Sequence, residues 1–399
     1  MKEGWEVKSL NEIFEVKSSR RVHKADWRKE GVPFYRAREV VKLAQNGFVD
    51  NDLFISEELF QEFTKDKGAP KEGDIIISAV GTLGQCYLVK KDDRFYFKDA
   101  SVLWFENISN VNPRYIEYAF KSDLVIRQVL HKSMGATVGT LTISRARKIQ
   151  IPIPPISEQK QIVAILDKTF AAIDQAQANI EKNIENAKEL FDSKKEDYFN
   201  QLSLNNDLIP LNDVCEKIFA GGDKPKENFS KAPTEELNIP IIANALKDNG
   251  LYGYTNKAKV TKPSITVAAR GSGTGHTEYR DYPFVPIVRL IVLTPNTDKV
   301  EVEFLMYSIK NLTITRSGSA IPQLTVPMIK SYSIPVPSKK KQTEIIDNLN
   351  QLEIELEDYM TTLEKKLDAL ENLKKSILQK AFSGELTVLN HDLKDLRIT

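Results

Sequence analysis

Asn112-Pro113-Arg114-Tyr115 is one of the few stretches of this 399-residue chain whose residue types invite a chemical reading. In NPPY or DPPY patterns a side chain and a prolyl carbonyl hold a target amino group for methyl transfer. Here arginine replaces the second proline, and no FxGxG-type cofactor loop follows an early strand, so Asn112 and Pro113 are expected simply to open a helix. The run GSGTG at 271–275 lacks the GxxxxGK[ST] and GxGxxG spacings of phosphate cradles and leads into HTEYRDYP, which is no helix. A turn is expected there. His276 and Glu278 form an HxE pair without the downstream PCxxC of a zinc deaminase. Two cysteines, Cys86 and Cys215, and four scattered histidines supply neither a disulfide framework nor metal-ligand spacing. No Ser/His/Asp set is suggested by any motif. The expectation is a chain without an active site, metal or cofactor of its own.

The same turns carry a different chemistry. Backbone N–H groups at a strand end, with hydroxyls and a cation beside them, suit phosphate positioning and base-edge hydrogen bonding. Thr82 and Gln85 supply these near GTLG (81–84), and Arg270, Ser272, Thr274 and His276 supply them near GSGTG. Basic residues precede them at Arg20, Arg21, Lys24, Arg36 and Arg38, and at Lys224 and Lys226. Lys132 and Arg316 sit beside matched Ser/Gly turns, and Gln323 follows the second. These are the candidate DNA-contacting residues. Net charge is only +1, yet mildly basic blocks (1–150, 201–337) alternate with mildly acidic ones (151–200, 338–399). That distribution permits nucleic-acid binding without demanding it.

What positions these residues is a duplication. Gly135 aligns with Gly318 at an offset of 183, and the offset holds without a gap to Phe199 and Phe382. Within it, Leu141-Thr142 meets Leu324-Thr325, IPIP (151–154) meets IPVP (334–337), and Gln159 meets Gln342. Upstream the copies drift, with SLNEIF (9–14) answering PLNDVC (210–215). Each copy is therefore a variable block followed by a constant segment, as if similar tasks were performed on different targets.

In the constant segment the prolines of IPIPP (151–155) end an extended stretch, Ser157 is a candidate N-cap, and a helical period begins. Leu166, Phe170, Ile173, Gln177, Ile180, Ile184, Ala187 and Phe191 form a 4-3-4-3 heptad stripe. Leu349, Leu356, Met360, Leu363, Leu367 and Leu370 keep the same phase, with Glu353 and Lys374 as exceptions. Each run predicts a helix of about 45 residues, roughly 65 Å long, with a C-cap at Gly384. A long helix with one apolar stripe needs a partner, and the other copy is at hand, so the pair is expected to be antiparallel with a pseudo-twofold axis. The blocks themselves read as strand-rich: 73–80, 84–91, 100–106, 264–270 and 286–294 are β-rich runs, while 113–122 and 303–311 are helices.

The expected fold class is α+β: two mixed α/β target-reading domains separated by two long antiparallel helices. The boundaries are 1–155 for the first domain, 156–202 for the first helix, 203–337 for the second domain, 338–384 for the second helix and 385–399 for a tail. Hydrophobic residues make up 41% of the chain, enough for ordinary cores. No run approaches the ~18 apolar residues of a spanning helix and no signal peptide is evident, so a cytoplasmic protein is expected.

The order of variable block, IPIPPISEQKQIVAILD (151–167), long helix, variable block, IPVPSKKKQTEIIDNLN (334–350), long helix and KAFSGEL (380–386) resembles the specificity subunit of type I restriction-modification enzymes. WEVKSLNEIFEV (5–16) and GDIIISAVGTLGQ (73–85) resemble its target recognition domains. The second copy departs with SKKKQ (338–342), and the first helix closes with YFNQLS. The resemblance implies a non-catalytic DNA-reading subunit in which each block reads one half of a split, non-palindromic site and the helix pair sets the gap. It further implies two methyltransferase subunits and two motor-nuclease subunits as partners, with S-adenosylmethionine, ATP and Mg belonging to them. The alternative is a coiled-coil scaffold whose end domains bind peptides or glycans.

Overall fold

In a computed structural model, residues 2–130, 139–271, 273–312 and 323–386 are described, Asp66 by its backbone only. The chain divides into two compact units, Met1–Ile180 with Lys365–Thr399, and Glu181–Glu364.

In the first unit a four-stranded antiparallel sheet has the order Phe14–Lys17, Val102–Asn107, Ile75–Ser78, Cys86–Leu88. A three-stranded sheet has the order Phe54–Ile55, Val32–Tyr35, Tyr96–Phe97, its last pair parallel. Glu6–Ser9 pairs with Gln150–Ile153. The continuous run Ile75-Ile76-Ile77 is buried on both faces, between the clusters around Phe105 and Trp104. Buried Asp74 is compensated by donors from the Trp104 indole at 2.9 Å and the backbone N–H groups of Asn107 and Lys71 at 3.0 Å.

The second unit repeats this topology strand for strand. Its larger sheet is Cys215–Ala220, Ile291–Pro295, Ser264–Val267, Thr277–Arg280. The smaller is Leu251–Thr255, Ile239–Ile242, Val285–Pro286, again with a parallel last pair, and Leu208–Pro210 pairs with Ser333–Pro335. The expected helices are Pro113–Lys121, with Asn112 capping the Arg114 N–H at 3.0 Å, and Val302–Asn311.

Two expectations are corrected here. The run 286–294 is not one strand: Val288 and Arg289 take φ of +52° and +61° and break it into a turn. Ser157 lies inside its helix, which starts at Ile156, because the Pro155 carbonyl accepts from Glu158 and Gln159. In the second copy, the hydroxyl of Ser338 does accept from the Lys341 N–H at 3.4 Å.

The long helices are Ile156–Asn205, 50 residues, and Lys339–Ser383, 45 residues. The first extends beyond the expected end at 202 and takes in Ser203–Asn205, which the sequence assigned to the second domain. Gly384, at φ +89°, closes the second. Within the first unit Ile162 and Leu166 share a core with Leu378, Ala381 and Phe382; within the second, Phe199 and Leu202 share one with Ile345 and Leu349. Leu166 shares this core with Leu378 and Phe382, and further along Gln177 meets Glu371 at 2.9 Å, so within this unit the two helix segments run antiparallel; Tyr115 packs at a tilt on Phe382 at 5.1 Å. Leu166, Ile173, Leu349 and Leu363 are buried, while Phe170, Ile180, Ile184, Leu356, Leu367 and Leu370 are half-buried. Lys374, an exception in the stripe, donates to seam residue Gln177 at 2.8 Å and pairs with Asp174 at 2.6 Å. A polar layer of this kind specifies register at some cost in stability.

Candidate nucleic-acid interface

In the first unit the segment after Phe14–Lys17 runs beside the link between Tyr96–Phe97 and Val102–Asn107. The Ser19 hydroxyl donates to the Phe97 carbonyl at 2.7 Å, Arg21 Nε to Asp99 at 3.0 Å, and Arg20 lies 3.5 Å from Glu62 with its guanidinium over Phe63. Lys24 is exposed. Arg20 and Arg21 thus form one cationic edge, whose ion pairs are exposed and weak enough, at about 0–1 kcal/mol, to be exchanged for phosphate.

Arg36 and Arg38 do different work. Both bind the buried Glu39, Arg36 at 3.0 Å, and both reach Asp52, at 3.4 and 3.0 Å. Burial raises the Glu39 carboxyl, but hydrogen bonds from Arg36 and Arg38 outweigh it and hold the group below its ordinary range. A depressed folded value stabilises the protein above the unfolded pKa, and that contribution is lost as pH falls through the folded value. Glu39→Gln is therefore expected to lose about 1–3 kcal/mol at neutral pH, and the deficit should shrink in denaturant melts as pH drops below about 4. An undiminished deficit in acid would rule this cluster out as the cause.

The two turns are brought to equivalent places. Leu141 donates its N–H to the Ala79 carbonyl at 2.9 Å, and Leu324 does the same to Ala269 at 2.9 Å. Each turn therefore lies beside its copy's constant segment, and Arg270 and Gln323 form a backbone bridge. Their backbone donors, however, are largely used within the turns. Gly84 and Gln85 donate to Ser78, Thr274 to Gly271, Gly275 to Ala268 and His276 to Gly273. Thr274 is buried with its hydroxyl on the Gly271 carbonyl at 2.8 Å, so it holds the turn instead of facing outward. Thr82 is exposed; Gln85, Arg270, His276 and Gln323 are half-exposed. Lys132, Ser272 and Arg316 lie outside the described residues.

In the second unit, Gly222 forms a parallel bridge with Ile287 and accepts from Val288 N–H at 2.8 Å. A Cβ at Gly221 would stand 2.6 Å from the Pro286 carbonyl, so position 221 cannot carry a side chain such as Arg20 in the first copy. The cation comes instead from Arg289, exposed on the left-handed turn. A positive φ at the β-branched Val288 is strained backbone, a feature that clusters at functional sites. Exposed Lys224 lies over Phe229, Lys231 over Tyr252 at 4.0 Å, and Lys259 over Phe219; Lys226 is exposed as well. Lys224, Lys226, Lys259 and Arg289 form no ion pair among the described residues. Arg289 was missed in the sequence because it stands alone in a run that reads as strand, and Lys231 and Lys259 because nothing in the string sets them apart from neighbouring lysines.

Burial pushes the thiols of Cys86 and Cys215 up to about 12, so neither is a thiolate at neutral pH. His276 Nε2 lies 2.9 Å from Glu278, but no metal-ligating group of three is found among the described residues. No described helix is long and apolar enough to cross a membrane.

A twice-repeated strand-rich block on long helices, with cations on one edge of each block, has the build of a binding and positioning protein. Comparison with known proteins places it further: type I restriction modification DNA specificity domains match residues 2–186 and 205–371. The chain belongs to that family. A Mycoplasma pneumoniae protein named as a type I specificity subunit is 33% identical over 256 residues, 61% of this chain and 73% of its own. The Escherichia coli type I restriction enzyme EcoBI specificity subunit is 22% identical over 405 residues, 90% and 81% of the two chains. A chain from the structures of complex assembly and conformational transition of the type I R-M system superposes with TM-score 0.76 at 17% identity, covering 97% of this chain and 99% of that one. The HsdS subunit from Thermoanaerobacter tengcongensis gives 0.61 at 18%, covering 97% and 98%. The fold is thus shared, and the family makes this chain a non-catalytic DNA-specificity component that assembles with the other subunits of a restriction-modification system.

Proposed function

We propose that residues 1–155 and 206–338 are target recognition domains, each reading one half of a bipartite, non-palindromic site in double-stranded DNA, and that helices Ile156–Asn205 and Lys339–Ser383 set the gap. The observation that carries this is one strand topology built twice with different cationic edges, Arg20 and Arg21 in one copy and Arg289 with Lys224, Lys226 and Lys259 in the other. Equal frames with unequal edges suit unlike half-sites. Thr82, Gln85, Arg270, His276 and Gln323 stand at the matched turns as further contacts, while Arg36 and Arg38 serve chiefly to hold Glu39.

Two methyltransferase subunits dock on the helices, and two motor-nuclease subunits join them in the cytoplasm. A groove of about 440 Å³ on the helix pair of the second unit, where Leu190 and Tyr359 are exposed, suits such docking. S-adenosylmethionine, ATP and Mg belong to those partners.

Gel shifts of the chain assembled with its methyltransferase test this reading. Affinity is expected to fall steeply with salt, and Arg289→Gln should lower the log–log salt slope by about one unit while weakening all sequences alike. Salt-independent binding would overturn the DNA-contact assignment.

A further inference from the structure

Each block is joined to its long helix by several polar contacts, among them Arg114 with Asp167 at 2.9 Å and Asn350 with Glu303 at 3.3 Å, and two contacts recur at positions that match between the copies. The first is a buried glutamine. Gln159 accepts from the Asn112 N–H at 2.8 Å and donates to the Pro154 carbonyl at 2.7 Å. Gln342 accepts from the Glu301 N–H at 2.8 Å and donates to the Pro337 carbonyl at 2.9 Å, and also to Lys299 at 3.0 Å. Asn112 and Glu301 are the N-cap residues of the short helices Pro113–Lys121 and Val302–Asn311. One side chain thus ties the cap of the block's helix to the chain entering the long helix.

The second contact lies eight residues further along each long helix, about 12 Å away. Tyr118 donates its hydroxyl to Asp167 at 2.6 Å, and Tyr307 donates to Asn350 at 2.6 Å. Asp167 and Asn350 keep the offset of 183 that relates Gln159 to Gln342. Around this point the copies differ: Tyr118 packs edge-on against Phe170, while the single Tyr307 hydroxyl proton is shared between Asn350 and Glu353, the latter at 3.0 Å. That contact accounts for the charged exception in the second stripe.

We infer that these four contacts, Gln159 with Tyr118–Asp167 and Gln342 with Tyr307–Asn350, form a two-point joint that fixes the angle of each reading block on its helix, and so determines how strictly the gap between half-sites is enforced. The apolar contacts at the same place, Tyr115 on Phe382 and Phe304 on Phe199 at 5.9 Å, are non-directional and tolerate sliding. A single hydrogen-bonded point allows pivoting about itself; two points 12 Å apart do not. Because Tyr115, Ile116 and Phe120 are buried in the same core as the larger sheet, the block turns as one body with its short helix. A base pair advances only about 3.4 Å along the duplex, so a small tilt reaches the neighbouring register.

The inference rests on the bipartite reading proposed above, and its test separates the two. The full chain assembled with methyltransferase subunits is given a DNA library in which the two mapped half-sites are held constant and the gap varies by one and two base pairs. The parent protein should methylate one gap strongly; if it shows no preferred gap, the bipartite reading itself falls. Gln159→Met and Gln342→Met, and the milder Tyr118→Phe and Tyr307→Phe, should each raise methylation at off-length gaps relative to the preferred gap by about fivefold, the worth of one hydrogen bond. The bases read in either half should not change. If the glutamine variants fail to fold, the tyrosine variants decide. A gap profile of unchanged shape beside a sharp parent profile, with or without a uniform loss of rate, would make these contacts structural only and overturn the inference.

Discussion

Exchanging residues 205–333 for the corresponding block of a relative is expected to change one half of the methylated sequence completely and to leave the other half and the gap as they were. The second unit has its own core, and most of its buried members, Leu293 and Phe304 among them, travel with the graft, while Ile334 and the helix residues Phe199, Leu202, Ile345 and Leu349 stay with the recipient. The graft boundary crosses the pairing of Leu208–Pro210 with Ser333–Pro335. That pairing is made by backbone groups and survives a change of side chains if the donor keeps the Ile-Pro pattern. Sequencing of modified bases in a host carrying the chimera reads the result. Change in both halves, or in neither, would contradict independent reading by the two blocks.

The second large effect concerns length. Inserting seven residues into each long helix, between 180 and 181 and between 364 and 365, keeps the heptad phase in both and adds about 10.5 Å of helix. Methylation should then move to a gap longer by about three base pairs, with both half-sites unchanged. Matched insertion matters because Lys374 meets Gln177 and Asp174, and lengthening one helix alone would pull such cross-helix pairs out of register. Loss of methylation at every gap, with the complex still assembled, would argue against the helices as spacer.

The architecture was legible to an unusual degree because duplication and heptad periodicity are properties of spacing, and spacing survives in a linear string. Leu166 to Phe191 and Leu349 to Leu370 announced the long helices, IPIPP and IPVP their starts, and Asn112-Pro113 a capped helix instead of a catalytic motif. Periodicity also failed where a conformation was not written in residue type. Val288 and Arg289 read as strand and form a left-handed turn, because the parallel bridge at Gly222 and the crowding at Gly221 dictate the backbone there.

The candidate interface was less legible. Arg20 and Arg21 were found as a pair of like charges, but Arg36 and Arg38 looked equivalent and are committed to Glu39. Thr274 looked available and is buried. Arg289 and Lys259 passed unnoticed. Composition and order along the chain determined by themselves that this protein has two unlike blocks and two long helices. Only the tertiary structure decided which cations are held by carboxylates and which stand free, and that a glutamine repeated at 159 and 342 locks each block to its helix. The reason is that charge pairing and hydrogen bonding depend on neighbours dozens of residues away, which a local pattern does not contain.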